Sequence, residues 1–331
     1  MKREVASPLT RRALCTRLAA WSALAAMPPA LRAQPAYASR VVKLVIPTAP
    51  GGSVDSIGRF LADSLTRPLA TTVIVENRAG AGGTIGIQSV VKSPADGLTL
   101  VVGIAATMSV QPAVNNLPYN AVKDLAPVAV FAQGGLVIAV PAASPAQNVK
   151  DLRTLASKKG ELAFGSGGQA TFGHLTGELL KAELGIPMRH IPYRGAAPAV
   201  TDAMAGLLDF AVVDAFSAAP HVQSGKLRIL AIAGPNRHNS FPQIPTLSEA
   251  GVPFTRGTWI GLFAPAGVPQ DMLDRLTSEI KNLSTQAEFR AQVQTLGFTP
   301  LFMPPADVSR MLAQEIEEWK RIAKTANLKV E

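Results

Sequence analysis

The stretch Val41-Val42-Lys43-Leu44-Val45-Ile46-Pro47-Thr48-Ala49-Pro50-Gly51-Gly52-Ser53-Val54-Asp55 sets the reading of the whole chain. A β-rich apolar run stops at Pro47, and the chain turns through Pro50-Gly51-Gly52. Apolar residues then recur at helical spacing at Ile57, Phe60, Leu61 and Leu65. The pattern is strand, glycine turn, helix. Adjacent glycines carry no side chain to screen the backbone, so their N–H groups and those of the helix's first turn can face an anion such as a carboxylate or phosphate. An ordinary βα turn fits the same residues, and this stretch alone leaves both readings open.

The unit recurs. Thr72-Val73-Ile74-Val75-Glu76 predicts a strand leading into Asn77-Arg78-Ala79-Gly80-Ala81-Gly82-Gly83-Thr84-Ile85-Gly86, with a helix to follow and a stop at Pro94-Ala95-Asp96-Gly97. A third strand at 98–104 ends in a polar turn at 105–109. Strands alternating with helices predict an α/β fold with a mostly parallel sheet and ligands at its carboxyl ends. Two apolar strands in succession, 127–131 and 136–140 around Gln133-Gly134-Gly135, break the alternation and predict a crossing into a second domain. There the pattern gives a helix at 148–157, a strand at 162–164, the turn Gly165-Ser166-Gly167-Gly168-Gln169-Ala170-Thr171 and a helix at 172–184. A strand at 188–192, the turn Tyr193-Arg194-Gly195-Ala196-Ala197-Pro198 opening a helix to 207, strands at 210–213 and 227–233, and a helix near 215–224 between them complete it. Trp259-Ile260-Gly261-Leu262-Phe263-Ala264-Pro265 predicts a buried strand crossing back, and helices at 270–283, 286–296 and 306–326 close the chain. The expected division is one lobe from 39–137 with 256–331 and another from 138–255, joined by two crossing hinge strands.

Length supports two domains, since 331 residues exceed what one core usually organises. The formal charge of +9 invites a nucleic-acid partner, but six of the 32 basic residues and one of the 23 acidic ones fall in residues 1–33, leaving +4. With no basic run longer than Lys158-Lys159 beyond that segment, a phosphate-backbone footprint is excluded. The first 33 residues read instead as an export signal: a basic start ending at Arg17, a short small-residue apolar run at 18–27, and cleavage after Ala33 or as late as Ala38. Arg11-Arg12 adds a twin-arginine pair, so the general and folded-export routes both fit. The single cysteine, Cys15, lies in this segment, so the exported chain has no disulfide, thiolate nucleophile or cysteine-built metal site.

Ser166 stands in a glycine turn with His174 eight residues on, which raises a secreted serine hydrolase; Phe164 occupies the first glycine position of a Gly-x-Ser-x-Gly elbow. His174, His190, His221 and His238 are scattered and form no metal-binding spacing. Gly80-Ala81-Gly82-Gly83-Thr84-Ile85-Gly86 departs from a dinucleotide fingerprint at Ile85 and has no acidic ribose partner downstream. What remains is a set of Gly, Ser and Thr turns at strand ends, two in each lobe. Facing each other, they present neutral donors and helix N-termini to an anion with a carboxylate at either end. Arg194 adds a possible bidentate clamp or is a solvent-exposed turn residue. Asp214 is a partner for an ammonium or hydroxyl, or the N-cap of the helix it precedes.

Six motifs then appear in order: Pro47-x-x-Pro50-Gly51-Gly52-x-x-Asp55, Asn77-Arg78-x-Gly80-Ala81-Gly82-Gly83, Gly165-Ser166-x-Gly168-x-x-Thr171-x-x-His174-Leu175, Pro192-Tyr193-Arg194-Gly195, Pro242-x-x-Pro245-Thr246-x-x-Glu249-Ala250-Gly251 and Trp259-x-Gly261-Leu262-Phe263-Ala264-Pro265. From Val41 onward the chain resembles the Bug receptors, the extracytoplasmic solute-binding proteins of tripartite tricarboxylate transporters. The resemblance implies a two-lobed, type II-like periplasmic-binding-protein fold with a parallel-rich sheet in each lobe. It implies a non-enzymatic, cofactor-free periplasmic receptor that delivers a small carboxylate to a membrane permease. In that family the two loops of the first lobe hold one carboxylate, partly through water, and the Ser/Thr turn of the second holds the other end. Carried across, this selects Gly51, Gly52, Gly82, Gly83, Thr84, Ser166, Gly168, Thr171, Arg194, Gly195 and Asp214. A monomer is expected. A receptor that feeds a signalling partner rather than a permease is the related alternative.

Overall fold

The computed structural model describes Tyr37 and residues 40–325. The export signal and both cleavage points lie outside the described residues. Two mixed sheets organise the molecule. The first contains β1 (Val41–Ile46), β2 (Thr72–Asn77), β3 (Thr99–Ile104), β4 (Leu125–Gly134), β10 (Thr258–Pro265) and β11 (Thr299–Met303), in the order β11-β4-β10-β3-β1-β2. The second contains β5 (Leu136–Pro141), β6 (Leu162–Ser166), β7 (Met188–Pro192), β8 (Phe210–Asp214) and β9 (Leu227–Ala233), in the order β7-β6-β8-β5-β9. In each, the parallel part carries the glycine turns: β1 pairs parallel with β2 and β3, and β6 with β7 and β8. The strands at the crossing, β4, β5 and β10, pair antiparallel with their neighbours. The fold is thus α/β and two-lobed, one lobe about each sheet.

Helices cover the sheet faces because their apolar stripes need burial. In α1 (Ser53–Leu69), Ile57, Leu61, Leu65 and Leu69 recur every four residues and are all buried. The helices α2 (Thr84–Val91), α3 (Gln111–Val114), α4 (Asp151–Lys159), α5 (Phe172–Leu184), α6 (Ala196–Met204) and α7 (Ala215–Gln223) follow in order, and α8 (Gln270–Thr285), α9 (Ala287–Thr295) and α10 (Pro305–Thr325) close the chain. On α10 the stripe is Val308, Leu312, Glu315, Trp319 and Ala323, all buried. It reaches across to the second lobe, where the Trp319 ring meets Phe172 edge-on at 5.3 Å and Phe254 at 6.2 Å. Burying an aromatic ring of this kind contributes about 1.5–3 kcal/mol, and here Trp319 joins apolar core from both lobes.

Two features differ from the sequence reading. The strand β11 was not expected, and the polar turn after β3 continues as a π-helical turn, Ala106–Val110, into the short α3. A five-residue strand containing Pro300 at the sheet edge carries little periodicity, and an edge strand tolerates a residue without an N–H.

At the crossing only Gly135 separates β4 from β5. An added Cβ on Gly257 would lie 2.6 Å from the Gly134 carbonyl, and one on Gly135 would lie 3.0 Å from the Ala233 carbonyl, so the strands cross backbone on backbone. No helix among the described residues is long and apolar enough to cross a membrane.

Candidate ligand site

Strand register brings the carboxyl ends of both parallel sets to this crossing. Ile46 pairs with Asn77, Ile104 with Ile260, and Thr258 with Gly134, so β1, β2 and β3 all end at the Gly134 side. In the other lobe Ser166 pairs with Pro192 and Val212, and Asp214 with Leu136, so β6, β7 and β8 end at the Leu136 side. One residue lies between Gly134 and Leu136. The turns that follow these strands therefore line the two sides of one cleft.

In the first lobe three loops pack together. An added Cβ on Gly83 would meet the Pro47 carbonyl at 3.2 Å and the Thr107 methyl at 2.5 Å, which joins the loops after β1, β2 and β3. Gly51 donates its N–H to Asp55 Oδ2 at 2.9 Å, and the same buried carboxylate accepts from Arg59 Nε at 3.1 Å and Asn77 Nδ2 at 2.8 Å. Burial pushes the Asp55 pKa up, but these hydrogen bonds and the Arg59 charge outweigh it and hold the carboxyl below its usual range. Asp55 therefore braces its loop, and the Gly51 N–H is occupied by it. Gly52 is exposed and caps α1 without a side-chain acceptor, as Gly83 caps α2. The first-turn N–H groups of α1 are left for another acceptor, whereas ahead of α2 a tight turn takes the Gly83 N–H to the Gly80 carbonyl at 2.9 Å and the Thr84 N–H to the Ala81 carbonyl. Thr84 offers its hydroxyl to the buried Tyr119 phenol, which donates to the Thr107 carbonyl at 2.7 Å.

In the second lobe Ser166, Gly168 and Thr171 form one hydrogen-bonded turn. Ser166 Oγ lies 3.0 Å from the Gly168 carbonyl and 2.8 Å from His190 Nε2, and Thr171 Oγ1 donates to Gly168 O at 2.8 Å and accepts from His174 N at 3.3 Å. Both hydroxyls therefore brace the turn. Gly195 donates its N–H to the Gly167 carbonyl at 3.1 Å, which joins the Arg194-Gly195 turn to this one. Arg194 is exposed, and among the described residues nothing accepts a hydrogen bond from its guanidinium. Gly195 caps α6 without a side-chain acceptor, the third glycine-capped helix at the cleft. Asp214 takes the capping role of the two open to it: Oδ1 accepts from Ser217 N at 2.9 Å, both oxygens accept from the Ser217 hydroxyl, and burial raises its pKa.

The sequence-derived nucleophile pair is not formed. Ser166 bonds His190, and His174 accepts instead from Ala170 N through Nδ1 at 3.1 Å. The two imidazoles stack at 3.9 Å. Burial lowers the pKa of His174 to about 4; burial, with the neighbouring His174, lowers that of His190 to about 3. An imidazole that resists a proton this strongly is a poor base for Ser166, whose side chain is wholly buried. Sequence reading missed the Ser166–His190 bond, made across 24 residues by the β6–β7 register, and it missed Gln111, whose amide lies against Gly82. Depressions of about 270 Å3 beside Phe254 and Arg256 and about 320 Å3 beside Arg228 and Phe241 contain none of these turn residues.

Residues 57–328 match the model of the tripartite tricarboxylate transporter family receptor. The chain belongs to that family. It is 31% identical over 304 residues to protein BugT of Bordetella pertussis, covering 89% of this chain and 91% of BugT. Its fold is similar to Rpa4515 of R. palustris, solved with adipate (TM-score 0.81, 29% identity, 87% of this chain and 98% of that one). It is similar also to MatC of Rhodopseudomonas palustris with bound malate (TM-score 0.77, 27% identity, 86% and 99%). A tricarboxylate-transporter receptor thus has glycine-capped helix ends on both sides of its cleft.

Proposed function

We propose that this receptor captures a small dicarboxylate between its lobes and delivers it to the membrane subunits of a tripartite permease. The observation that carries the reading is the convergence of three helix N-termini capped only by glycine, α1 and α2 on one side and α6 with Arg194 on the other. Backbone donors at helix ends favour carboxylates, and a guanidinium adds a planar, bidentate partner. The adipate and malate found with two similar receptors belong to the same chemical class. Within the proposed site Gly52, Gly82, Arg194 and the first turns of α1 and α6 receive the anion, while Gly51, Gly83, Thr84, Ser166, Gly168, Thr171, Gly195 and Asp214 hold the turns in place.

The ligand carries no amino group. Four acidic side chains lie on or beside these turns, and each already has a partner: Asp55 has Arg59 and Asn77, Glu76 has Lys43 and Arg78, Asp202 accepts from the Tyr193 hydroxyl at 2.6 Å, and Asp214 has Ser217. Asp55 and Glu76 are paired with cations and Asp214 spends both oxygens on Ser217, so an ammonium brought into the cleft would lose water for little counter-charge.

The receptor acts as a monomer in the periplasm and performs no chemistry on its ligand. Among the described residues the lobes divide as 40–134 with 256–325 and 136–255, and closure about Gly134-Gly135 buries the ligand. Calorimetric titration with adipate, malate and glutamate tests this. Binding of adipate or malate supports it, tighter binding of glutamate overturns the exclusion of an amino group, and binding of none of them, with turnover of an ester instead, sinks it.

A further inference from the structure

Gln111 is a largely buried side chain beside this cleft whose amide donor has no acceptor among the described residues, and the Thr48 hydroxyl in the turn after β1 likewise has no partner. It begins α3, directly after the π-helical turn that follows β3, and is 4% exposed. Its Oε1 accepts from Asn115 Nδ2 one helical turn on, which fixes the amide so that Nε2 points the other way. There it lies against Gly82: an added Cβ on that glycine would sit 2.2 Å from Nε2 and 3.3 Å from Cδ. Gly82 is itself exposed, with φ of 63°, in the turn that leads into α2. Among the described residues no group accepts a hydrogen bond from Gln111 Nε2. The side chain is held by packing while its N–H2 has no protein acceptor, so the donor is open to a group that enters from the cleft.

We propose that Gln111 is a ligand-contacting residue whose side-chain amide donates to the carboxylate seated over Gly82 and Gly83. The proposal rests on the receptor reading above and adds a side-chain donor to a half-site otherwise made of backbone. Glycine at position 82 follows from it, because the amide occupies the space a side chain would need. In the first lobe Arg59 and Arg78 are already paired with Asp55 and Glu76, so Gln111 supplies a neutral donor there and Arg194 is the cation without a partner at the opposite turn. Gln111 thereby favours an end group that accepts a hydrogen bond over an apolar one of the same shape.

The test is calorimetric titration of the purified protein with adipate and with malate, for the wild type and for Gln111→Met, Gln111→Glu and Asn115→Ala, with apo melting temperatures measured alongside. A hydrogen bond to a charged group predicts that Gln111→Met weakens binding about tenfold to a hundredfold. Gln111→Glu weakens it further at pH 7, and that loss, taken against the wild type at each pH, shrinks as the pH is lowered through the ordinary glutamate value of about 4.3, where the new carboxyl takes up a proton and donates again. Asn115→Ala, which frees the amide to rotate, gives a smaller loss than either. The pH rescue is a readout that a purely packing role does not produce, and it stands even if Gln111→Met folds poorly. Unchanged affinity in Gln111→Met, or a Gln111→Glu variant whose affinity does not recover at low pH, overturns the proposal while leaving the receptor reading intact. A wild type that binds neither dicarboxylate overturns both.

Discussion

Asp55→Asn separates a bracing role from a ligand-facing one. The carboxylate is 4% exposed and accepts from Gly51 N, Asn77 Nδ2 and Arg59 Nε. Replacing one oxygen by an amide nitrogen removes a charge-assisted hydrogen bond worth about 1.5–3 kcal/mol and sets N–H against N–H. The Arg59 ion pair adds at most about 1 kcal/mol, because that guanidinium is 50% exposed and screened. The expected loss is about 2–3 kcal/mol, or a fall in Tm of roughly 4–10 °C by scanning calorimetry. Because the folded pKa is depressed, the stabilisation is present above the ordinary value of 3.8 and is lost as pH falls through the lower folded value, and the variant lacks this acid-side loss. Dicarboxylate affinity changes less than about threefold, since Asp55 bonds its own loop rather than the cleft. An unchanged Tm with tighter binding would refute the reasoning, because it would mean that the carboxylate faces and repels the ligand.

Arg194→Ala removes the one cation at the second-lobe turn and should weaken dicarboxylate binding by about tenfold or more, with a smaller salt dependence; calorimetry at two ionic strengths reads both. Adipate should bind at least about tenfold more tightly than 2-aminoadipate, which differs only in the ammonium that finds no free carboxylate; equal affinities contradict that assignment. On α10, Glu315 accepts from Trp259 Nε1 at 3.0 Å, and burial raises its pKa above 4.5. The folded state therefore holds its proton longer than the unfolded chain, and stability falls as pH rises from about 4.5 through the folded value. Glu315→Gln should flatten that part of a Tm–pH profile, and an unaltered slope would assign it to other groups.

The two-lobed architecture was legible because its signals are local. Gly51-Gly52, Gly82-Gly83 and Gly195 stand at strand ends, where a turn needs them, and the paired strands around Gly134-Gly135 break the βα alternation at the crossing. Side-chain hydrogen bonding was not legible, because periodicity reports burial and not partners. Nothing in the spacing shows that Gly51 gives its N–H to Asp55, that Ser166 bonds His190 rather than His174, or that Thr84 turns to Tyr119. Gln111 escaped notice for the same reason: it lies 29 residues beyond Gly82 and meets it only through the packing of the loops after β2 and β3. The candidate site was thus readable as a set of turns, and its division into residues that receive the anion and residues that brace the turns needed the coordinates.

A crystal structure of the protein with adipate tests the central claim most directly. The account predicts density between the lobes, with one carboxylate over Gly82-Gly83 within reach of Gln111 Nε2 and the other at Arg194 and the first turn of α6. An empty cleft at saturating adipate, or density bound away from these turns, contradicts it.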